Sequence, residues 1–238
     1  GPTLDGILRH LIVRTTSDER QAVAMLVVTR NDKSLRAPIR AFLESAERPD
    51  GFFVNVHFEN SQYRVSERTL KIDGVAHVRE QVGGISYLIS PTAFFQTNTE
   101  AAAVLQSYVV DAVAGARRVL DLYCGSGLFS LPIAAAGART LGVEENRQAI
   151  DDAALNARLN HIPTSRARFI AARVEDAVRS ANREPWDAVI LDPPRQGCSD
   201  RVLEAVFQEM APPCVVYVSC NPESLAAELP GIVQCGYE

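Results

Sequence analysis

The apolar positions of this chain change rhythm near residue 90. Before it they fall in short β-rich runs: LRHLIVRTT and QAVAMLVVT either side of the polar SDER, then FFVNVHF. The first two predict a hairpin between Leu8 and Thr29. Leu35, Ile39, Phe42 and Leu43 recur at helical spacing, which predicts a helix over Ser34 to Ala46 with Pro38 confined to its first turns. Further strand candidates lie at Arg64–Ile72, Val75–Val78 and Ile85–Ile89, with Asp73-Gly74 and Gly83-Gly84 as turn chemistry between them. Ser90-Pro91 then breaks the strand, and a helical period runs from Thr99 to Ala114 behind an N-cap at Thr97 or Asn98.

From Arg117 onward strands and helices alternate strictly. The strands are RVLDLY, TLGVE, ARFIAA, WDAVILD and CVVYVS; the helices are SLPIAAA, NRQAIDDAALNARLN, VEDAVRSA, RVLEAVFQEM and ESLAAELP. That alternation predicts βαβ units and a parallel sheet covered on both faces. The expected fold is α/β, with a small α+β lobe over residues 1–90 and the parallel-sheet domain over 91–238. At Gln234-Cys235-Gly236-Tyr237-Glu238 another strand is expected to begin, so the domain reads as cut short there.

Composition adds bounds rather than detail. With 238 residues, 47% hydrophobic and 22% charged, the chain can bury a sizeable core. A formal charge of -5 argues against a protein that coats nucleic acid through its phosphates, though it leaves room for a local basic patch. The Arg-containing runs at 164–173 and 195–201 read as solvated faces. No apolar run approaches the roughly 20 residues of a membrane span, and the signal-peptide pattern is missing, so a cytoplasmic protein is expected. Five cysteines, an odd number without CxxC spacing, suggest reduced thiols and no metal site. His10, His57, His77 and His161 show no partner spacing, and Gly1-Pro2 reads as a remnant of tag cleavage.

Four stretches carry chemistry. VLDLYCGSGLF, Val119 to Phe129, is a strand ending in a glycine turn that opens a helix, and Glu144 ends the next strand. Gly125 and Gly127 let backbone approach a ligand, while a carboxylate at Glu144 can accept both hydroxyls of a ribose. Ser130 stands where a dinucleotide fingerprint has its third glycine, and Asp121 would repel a pyrophosphate but welcome a cation. S-adenosylmethionine, with a sulfonium and an amino group, suits such a site. Asp192-Pro193-Pro194-Arg195 ends another strand, where two prolines fix the backbone around the acid. Cys220 sits in YVSCNP at a strand end, just before a helix whose N-terminal dipole would favour thiolate. Cys124 reads as a packing residue; Cys198, Cys214 and Cys235 read as structural. In Phe94-Phe95-Gln96 two aromatics and an amide could serve either a ligand or the core.

Taken together, FFQTN (94–98), LDLYCGSGLFSLPIA (120–134), GVE (142–144), NARLN (156–160), DPPRQG (192–197) and YVSCNP (217–222) resemble the RNA uracil-5 methyltransferase family, which makes 5-methyluridine in tRNA and ribosomal RNA. The match covers about residues 85 to 238; the first 85 fit the family's preceding lobe only loosely. The resemblance implies a Rossmann-like S-adenosylmethionine-dependent methyltransferase domain. It implies that Gln96, Tyr123, Gly125, Gly127, Glu144 and Asp192 bind the cofactor, with Asp192 between cofactor and target. Cys220 would be the nucleophile that forms an adduct at C6 of the uracil, and Phe94, Phe95, Arg195 and Asn221 would face the RNA. The family's proton-abstracting glutamate lies in a later segment, and its OB-like RNA-binding domain and iron–sulfur cysteines have no counterpart, so the chain is expected to be a catalytic fragment without metal.

Two other functions fit some of these residues. An amino-group methyltransferase could use the DPPR loop with no thiol, and a non-catalytic cofactor- or RNA-binding fragment would need neither.

Overall fold

The computed structural model of the protein describes residues 6–18, 20–57, 65–66, 68–181 and 183–238. Gly1-Pro2, Phe58 at the end of one expected strand and Arg64 at the head of another lie outside them. The chain folds as two compact units, Gly1–Glu80 with Leu88–Thr92, and Gln81–Tyr87 with Ala93–Glu238.

In the first unit β1 (Leu8–Thr15) and β2 (Ala22–Val28) form the expected antiparallel hairpin, in a register that sets Leu11 opposite Leu26 and Val13 opposite Ala24. β3 (Gly51–Val56) runs parallel to β2, a pairing that requires a crossover, and α1 (Arg36–Leu43) supplies it. α1 is shorter than its periodicity predicts, because Lys33–Leu35 form a separate 3₁₀ turn capped by Asp32. Leu35, Ile39 and Leu43 pack on Ala24, Val28, Phe52, Val54 and Val56. β4 (Thr69–Gly74) closes the sheet in the order β1-β2-β3-β4. Asp73-Gly74 therefore ends a strand instead of making a turn. Gly74 sits at φ 70°, and a Cβ there would lie 1.8 Å from the Asp50 carbonyl oxygen, so only glycine allows that approach. The turn moves on to residues 75–77, and the next strand is β5 (Val78–Val82), which starts where the expected Val75–Val78 strand should have ended. β5 pairs with β6 (Ile85–Ile89) around Gly83-Gly84.

The second unit carries α2 (Thr99–Ala112), N-capped by Asn98, whose side-chain oxygen accepts from Ala101 N. β7 (Arg118–Leu122), β8 (Arg139–Glu144), β9 (Ala167–Ala171), β10 (Ala188–Leu191) and β11 (Cys214–Tyr217) then form one parallel sheet in the order β11-β10-β7-β8-β9. The intervening helices are α3 (Ser130–Ala135), α4 (Arg147–Leu159), α5 (Val174–Ala181) and α6 (Asp200–Glu204), with α7 (Pro222–Gln234) following β11. The chain builds outward from β7 to β9, returns to β10 beside β7, and ends at β11. That reversal opens a crevice at the carboxyl ends of β7 and β10, the place where ligands bind in doubly wound sheets.

The core forms around β10. All four of its residues are buried, and Val189 and Leu191 share one cluster with Val178, Trp186, Val202, Val206 and Phe207. α6 continues as π-type turns over Ala205–Met210. α7 does not end at Pro230 as the sequence predicts. Pro230 is exposed, and Ile232 beyond it is buried in the same core cluster, which holds the last turn. Gln234, the expected start of a further strand, closes α7, and Tyr237 Oη then donates to the Pro212 carbonyl at 2.8 Å.

Candidate active site

The strand β7 delivers Asp121 and then turns sharply. Tyr123, Gly125 and Gly127 all take left-handed conformations, φ 66°, 52° and 89°. A tyrosine incurs a steric penalty there, so the turn must be held from outside. Cys124 N donates to the Val143 carbonyl at 3.0 Å, and Asn156 Nδ2 donates to the Ser126 carbonyl at 3.4 Å. Tyr87 Oη and Gln106 Nε2 both reach the Leu128 carbonyl, at 3.2 and 2.9 Å. Ser130, in place of a third glycine, donates its hydroxyl to Asp121 Oδ2. Cys124 is buried over Gly142, where a Cβ would come within 2.7 Å of its Sγ. Its thiol is pushed well above the ordinary range, chiefly by burial, in keeping with a packing role.

Three carboxylates gather at the ends of β7, β8 and β10. Asp121 is fully buried and pushed up to about 7, first by burial and also by the negative charges of Asp192 and Glu144. Burial pushes Asp192 up to about 6. Glu144 is also raised by burial, although its oxygens accept from Gly125 N at 3.3 Å and Asn146 N at 2.8 Å. Among the described residues, Asp121 Oδ1 has no hydrogen-bond partner. The place of a Cβ on Gly125 faces open space, with nothing within 4 Å. A glycine cradle, an orphaned carboxylate oxygen and mutually repelling acids in low dielectric fit a ligand that brings positive charge and close-packed edges.

Across the crevice, Asp192 N donates to the Leu122 carbonyl at 3.4 Å, which ties the end of β10 to the end of β7. The following loop is clamped by α7. Asn221 Nδ2 donates to the Arg195 carbonyl at 3.0 Å, and Glu228 Oε1 accepts from Cys198 N at 2.9 Å. Asn221 is also the N-cap of α7, accepting from Glu223 N at 3.2 Å. Both of its side-chain groups are thus engaged inside the protein. Cys220 stands one residue before that cap. Among the described residues, which include all five cysteines, it alone of the thiols is exposed. Cys198 is buried and its thiol is pushed up to about 12, mainly by burial. Arg195 is exposed beside the loop of Cys220.

The aromatic pair divides. Phe95 is 6% exposed and packs on Tyr87 with ring centroids 5.3 Å apart, so it belongs to the core and not to the substrate face expected of it. Phe94 is 73% exposed, and Gln96 is half-buried beside it. A groove of about 290 Å³ between α6 and α7, lined by Leu203, Phe207, Ile232 and Cys235, contains none of Asp121, Glu144, Asp192 or Cys220.

The family described as tRNA (Uracil-5-)-methyltransferase matches residues 14–235. The chain belongs to that family. An uncharacterized RNA methyltransferase of Gloeobacter violaceus is 35% identical over 236 residues, covering 98% of this chain and 50% of that protein. One from Geobacter sulfurreducens is 33% identical, with 99% and 48% covered. The chain thus spans about half the length of these curated relatives. The crystal structure of Pyrococcus abyssi tRNA (uracil-54, C5)-methyltransferase in complex with S-adenosyl-L-homocysteine superimposes with a TM-score of 0.76 at 30% identity, over 95% of this chain and 53% of that one. A SAM-dependent methyltransferase of Agrobacterium tumefaciens shares the fold alone, with a TM-score of 0.54 at 19% identity, over 89% of this chain and 72% of that one. The family's fold is the Rossmann-like α/β domain that the motifs imply.

Several supporting residues of this family member escaped sequence reasoning. Asn160 accepts from Ser86 N at 2.9 Å and donates to the Ser86 carbonyl at 2.7 Å, while Asn156 braces the glycine turn. Asn156 lies on α4 and Asn160 is its C-cap, and their i,i+4 spacing was a usable signal. Glu228 had none. Among the described residues, no helix is long and apolar enough to cross a membrane, and no group of three or more His, Cys, Asp or Glu could hold a metal ion.

Proposed function

We propose that the protein containing this chain methylates C5 of a uridine in RNA, tRNA or ribosomal, with S-adenosylmethionine as donor and a covalent adduct between Cys220 and C6 of the base. The observation that carries this reading is the pairing of loops. β10 and β11 are adjacent parallel strands with Leu191 opposite Tyr217, and Asn221 Nδ2 bonded to the Arg195 carbonyl ties DPPR to SCNP. A half-buried carboxylate and an exposed thiol are thereby carried on neighbouring strand ends.

The cofactor would lie over the glycine turn, with Glu144 toward its ribose, Tyr123 and Gln96 at its edges, and Asp121 and Asp192 toward its positive charges. Glu144 is held in one orientation by Gly125 N and Asn146 N, so its remaining lone pairs are set for hydroxyl donors. Carboxylates raised toward neutrality by burial are stabilised as anions when a cation arrives, which favours S-adenosylmethionine over an anionic dinucleotide.

On the target side, C5 of uracil is a weak nucleophile. Attack by the Cys220 thiolate on C6 forms the S–C6 bond and moves the C5=C6 electron pair onto the C4 carbonyl oxygen as an enolate. Asp192 can accept from the N3–H edge of the ring and so hold it while that charge develops. S-adenosylmethionine, when bound over the glycine turn, would supply an electrophilic methyl group on cationic sulfur, whose S–CH3 bond breaks to leave the neutral thioether S-adenosylhomocysteine as the C5–CH3 bond forms. Loss of the C5 proton to a base then restores the double bond and expels the Cys220 thiolate. A uridine in a structured RNA must leave its stack to reach this crevice, and the exposed Phe94 ring offers a replacement surface.

Incubation of the full-length protein with 5-fluorouridine RNA and S-adenosylmethionine tests the reading, because fluorine at C5 cannot leave as a proton does. A denaturation-resistant protein–RNA complex is expected, and Cys220→Ala should abolish it. Methylation at an undiminished rate by Cys220→Ala sinks the covalent mechanism and favours an amino-group acceptor. Parallel reactions with tRNA and ribosomal RNA decide the substrate.

A further inference from the structure

α7 carries a side chain that grips the acid-bearing loop from beneath. Glu228 lies on α7 beyond Cys220 and Asn221, and each of its carboxylate oxygens has a separate partner. Oε1 accepts from Cys198 N at 2.9 Å, and Oε2 accepts from Tyr217 Oη at 2.7 Å. Cys198 closes the DPPRQGC loop, and Tyr217 ends β11, shortly before Cys220. One carboxylate therefore joins three elements: the loop after β10, the end of β11 and the helix that follows the thiol.

The loop is shaped to receive it. Gly197 sits at φ 82°, and a Cβ there would meet Glu228 Oε1 at 1.9 Å. Gly197 N also donates to the Pro194 carbonyl at 2.8 Å, which closes the turn so that Cys198 N points at α7. A Cβ at 197 would push the Glu228 carboxylate off its hydrogen bond with Cys198 N. Asn221 makes the second tie between the same two elements, at Arg195. Both ties run from α7 to one loop, from Asn221 to Arg195 and from Glu228 to Cys198, so they fix an orientation and not merely a distance.

We propose that Glu228 is a positioning residue, which holds the DPPRQGC loop on α7 so that Asp192 and Cys220 address the same uridine. The inference rests on the covalent reading above and adds a residue that touches neither substrate nor cofactor. Its consequence is specific. Loosening the clamp alters the geometry between acid and thiol but leaves the glycine turn, Asp121 and Glu144 in place.

The test uses the full-length protein with 5-fluorouridine RNA, following the rate of adduct formation and, separately, binding of S-adenosylmethionine. Glu228→Ala and Glu228→Gln should slow adduct formation on the order of 10- to 100-fold, since displacements near 1 Å cost that much. Cofactor affinity, which Asp192 shares with Asp121 and Glu144, should fall by much less than the adduct rate, and Glu228→Asp, which retains two acceptors, should recover part of that rate. Gly197→Ala attacks the clamp from the other side and should give the same signature with Glu228 intact; Tyr217→Phe removes one bond and should give a weaker version. Adduct formation at the wild-type rate in Glu228→Ala overturns the proposal. So does a fall in adduct rate, cofactor affinity and folded fraction together in Glu228→Ala and Tyr217→Phe, because that is the mark of a general structural role. If the wild-type protein forms no adduct at all, the covalent reading fails and takes this one with it; a normal wild-type adduct with an unaffected Glu228→Ala rejects this one alone.

Discussion

The two sides of the crevice are built differently. On the glycine-turn side Asp121 is fully buried, Val119, Leu120 and Leu122 beside it are 0% exposed, and the turn is braced by Asn156, Tyr87 and Gln106 from distant parts of the unit. On the thiol side β11 is only half-buried along its whole length, Cys220 is exposed, and the loops are held by the side chains of α7. Burial and hydrogen bonds from distant elements fix the first side, and hydrogen bonds from the adjacent helix fix the more open second side. A donor that is always the same molecule can be met by a preformed cradle. Under the proposed function, a nucleotide that enters from a larger RNA needs an open edge, whose order must come from local clamps.

That contrast can be broken experimentally. The largest effect is expected on the packed side. Gly142→Val places carbon where the Cβ alone would sit 2.7 Å from both Cys124 Sγ and the Phe169 ring, and overpacking of this kind costs about 1–3 kcal/mol or more. Denaturant titration should register the loss, with S-adenosylmethionine binding weakened in parallel. Unchanged binding would show that the turn is less rigid than its contacts imply.

The pH dependence should separate the two sides next. Asp121 has its folded pKa raised from 3.8 to about 7, so the folded state binds the extra proton and its contribution to stability is fully present below about pH 4. The contribution is lost as pH rises through about 7. Asp121→Asn should therefore flatten the decline in stability of the ligand-free protein between about pH 4 and 7, measured by chemical denaturation. Affinity for S-adenosylmethionine should run the opposite way, rising as Asp192 and Asp121 ionise through about 6 and about 7. Calorimetric titration across that range checks it; a flat profile removes the electrostatic argument for the cation.

Ser130→Ala deprives Asp121 Oδ2 of its hydroxyl donor. Leaving an ionised buried carboxylate short of a partner costs on the order of 1–3 kcal/mol, more at about pH 8 than at about pH 5, where the acid is protonated. The smallest effect belongs to the thiol side. Asn221→Ala removes the α7 cap and the tie to Arg195, worth about 1 kcal/mol of stability, and should lower cofactor affinity far less than Gly142→Val does. A fall in cofactor affinity equal to that from Gly142→Val would erase the distinction between the sides.

Much of this was readable along the chain, for reasons that are local. β10 reads as an apolar run because it is buried throughout, and the glycine turn reads as a turn because three left-handed residues need glycine at two of them. Asp192 and Cys220 are conspicuous because each ends such a run abruptly. The misreadings are also physical. Asp73-Gly74 looks like a hairpin turn, but the glycine serves close approach to Asp50. Pro230 looks like a helix stop, yet burial of Ile232 carries the helix past it. Phe94 and Phe95 are identical in type, and only the position of Tyr87 decides which one is core.

The sequence by itself determined the order of elements, the crevice-facing loops and the chemical types they carry, because hydrophobic period, turn residues and strand ends are properties of neighbours in the chain. Only the tertiary structure decided which cysteine is exposed, how far burial raises Asp121 and Asp192, that Ser130 bonds to Asp121, and that Asn221 and Glu228 bond to the loop after Asp192. Burial and directed hydrogen bonds join residues far apart in sequence. Glu228 and Cys198 are 30 positions apart. No local pattern encodes that meeting; the parallel pairing of β10 with β11 creates it.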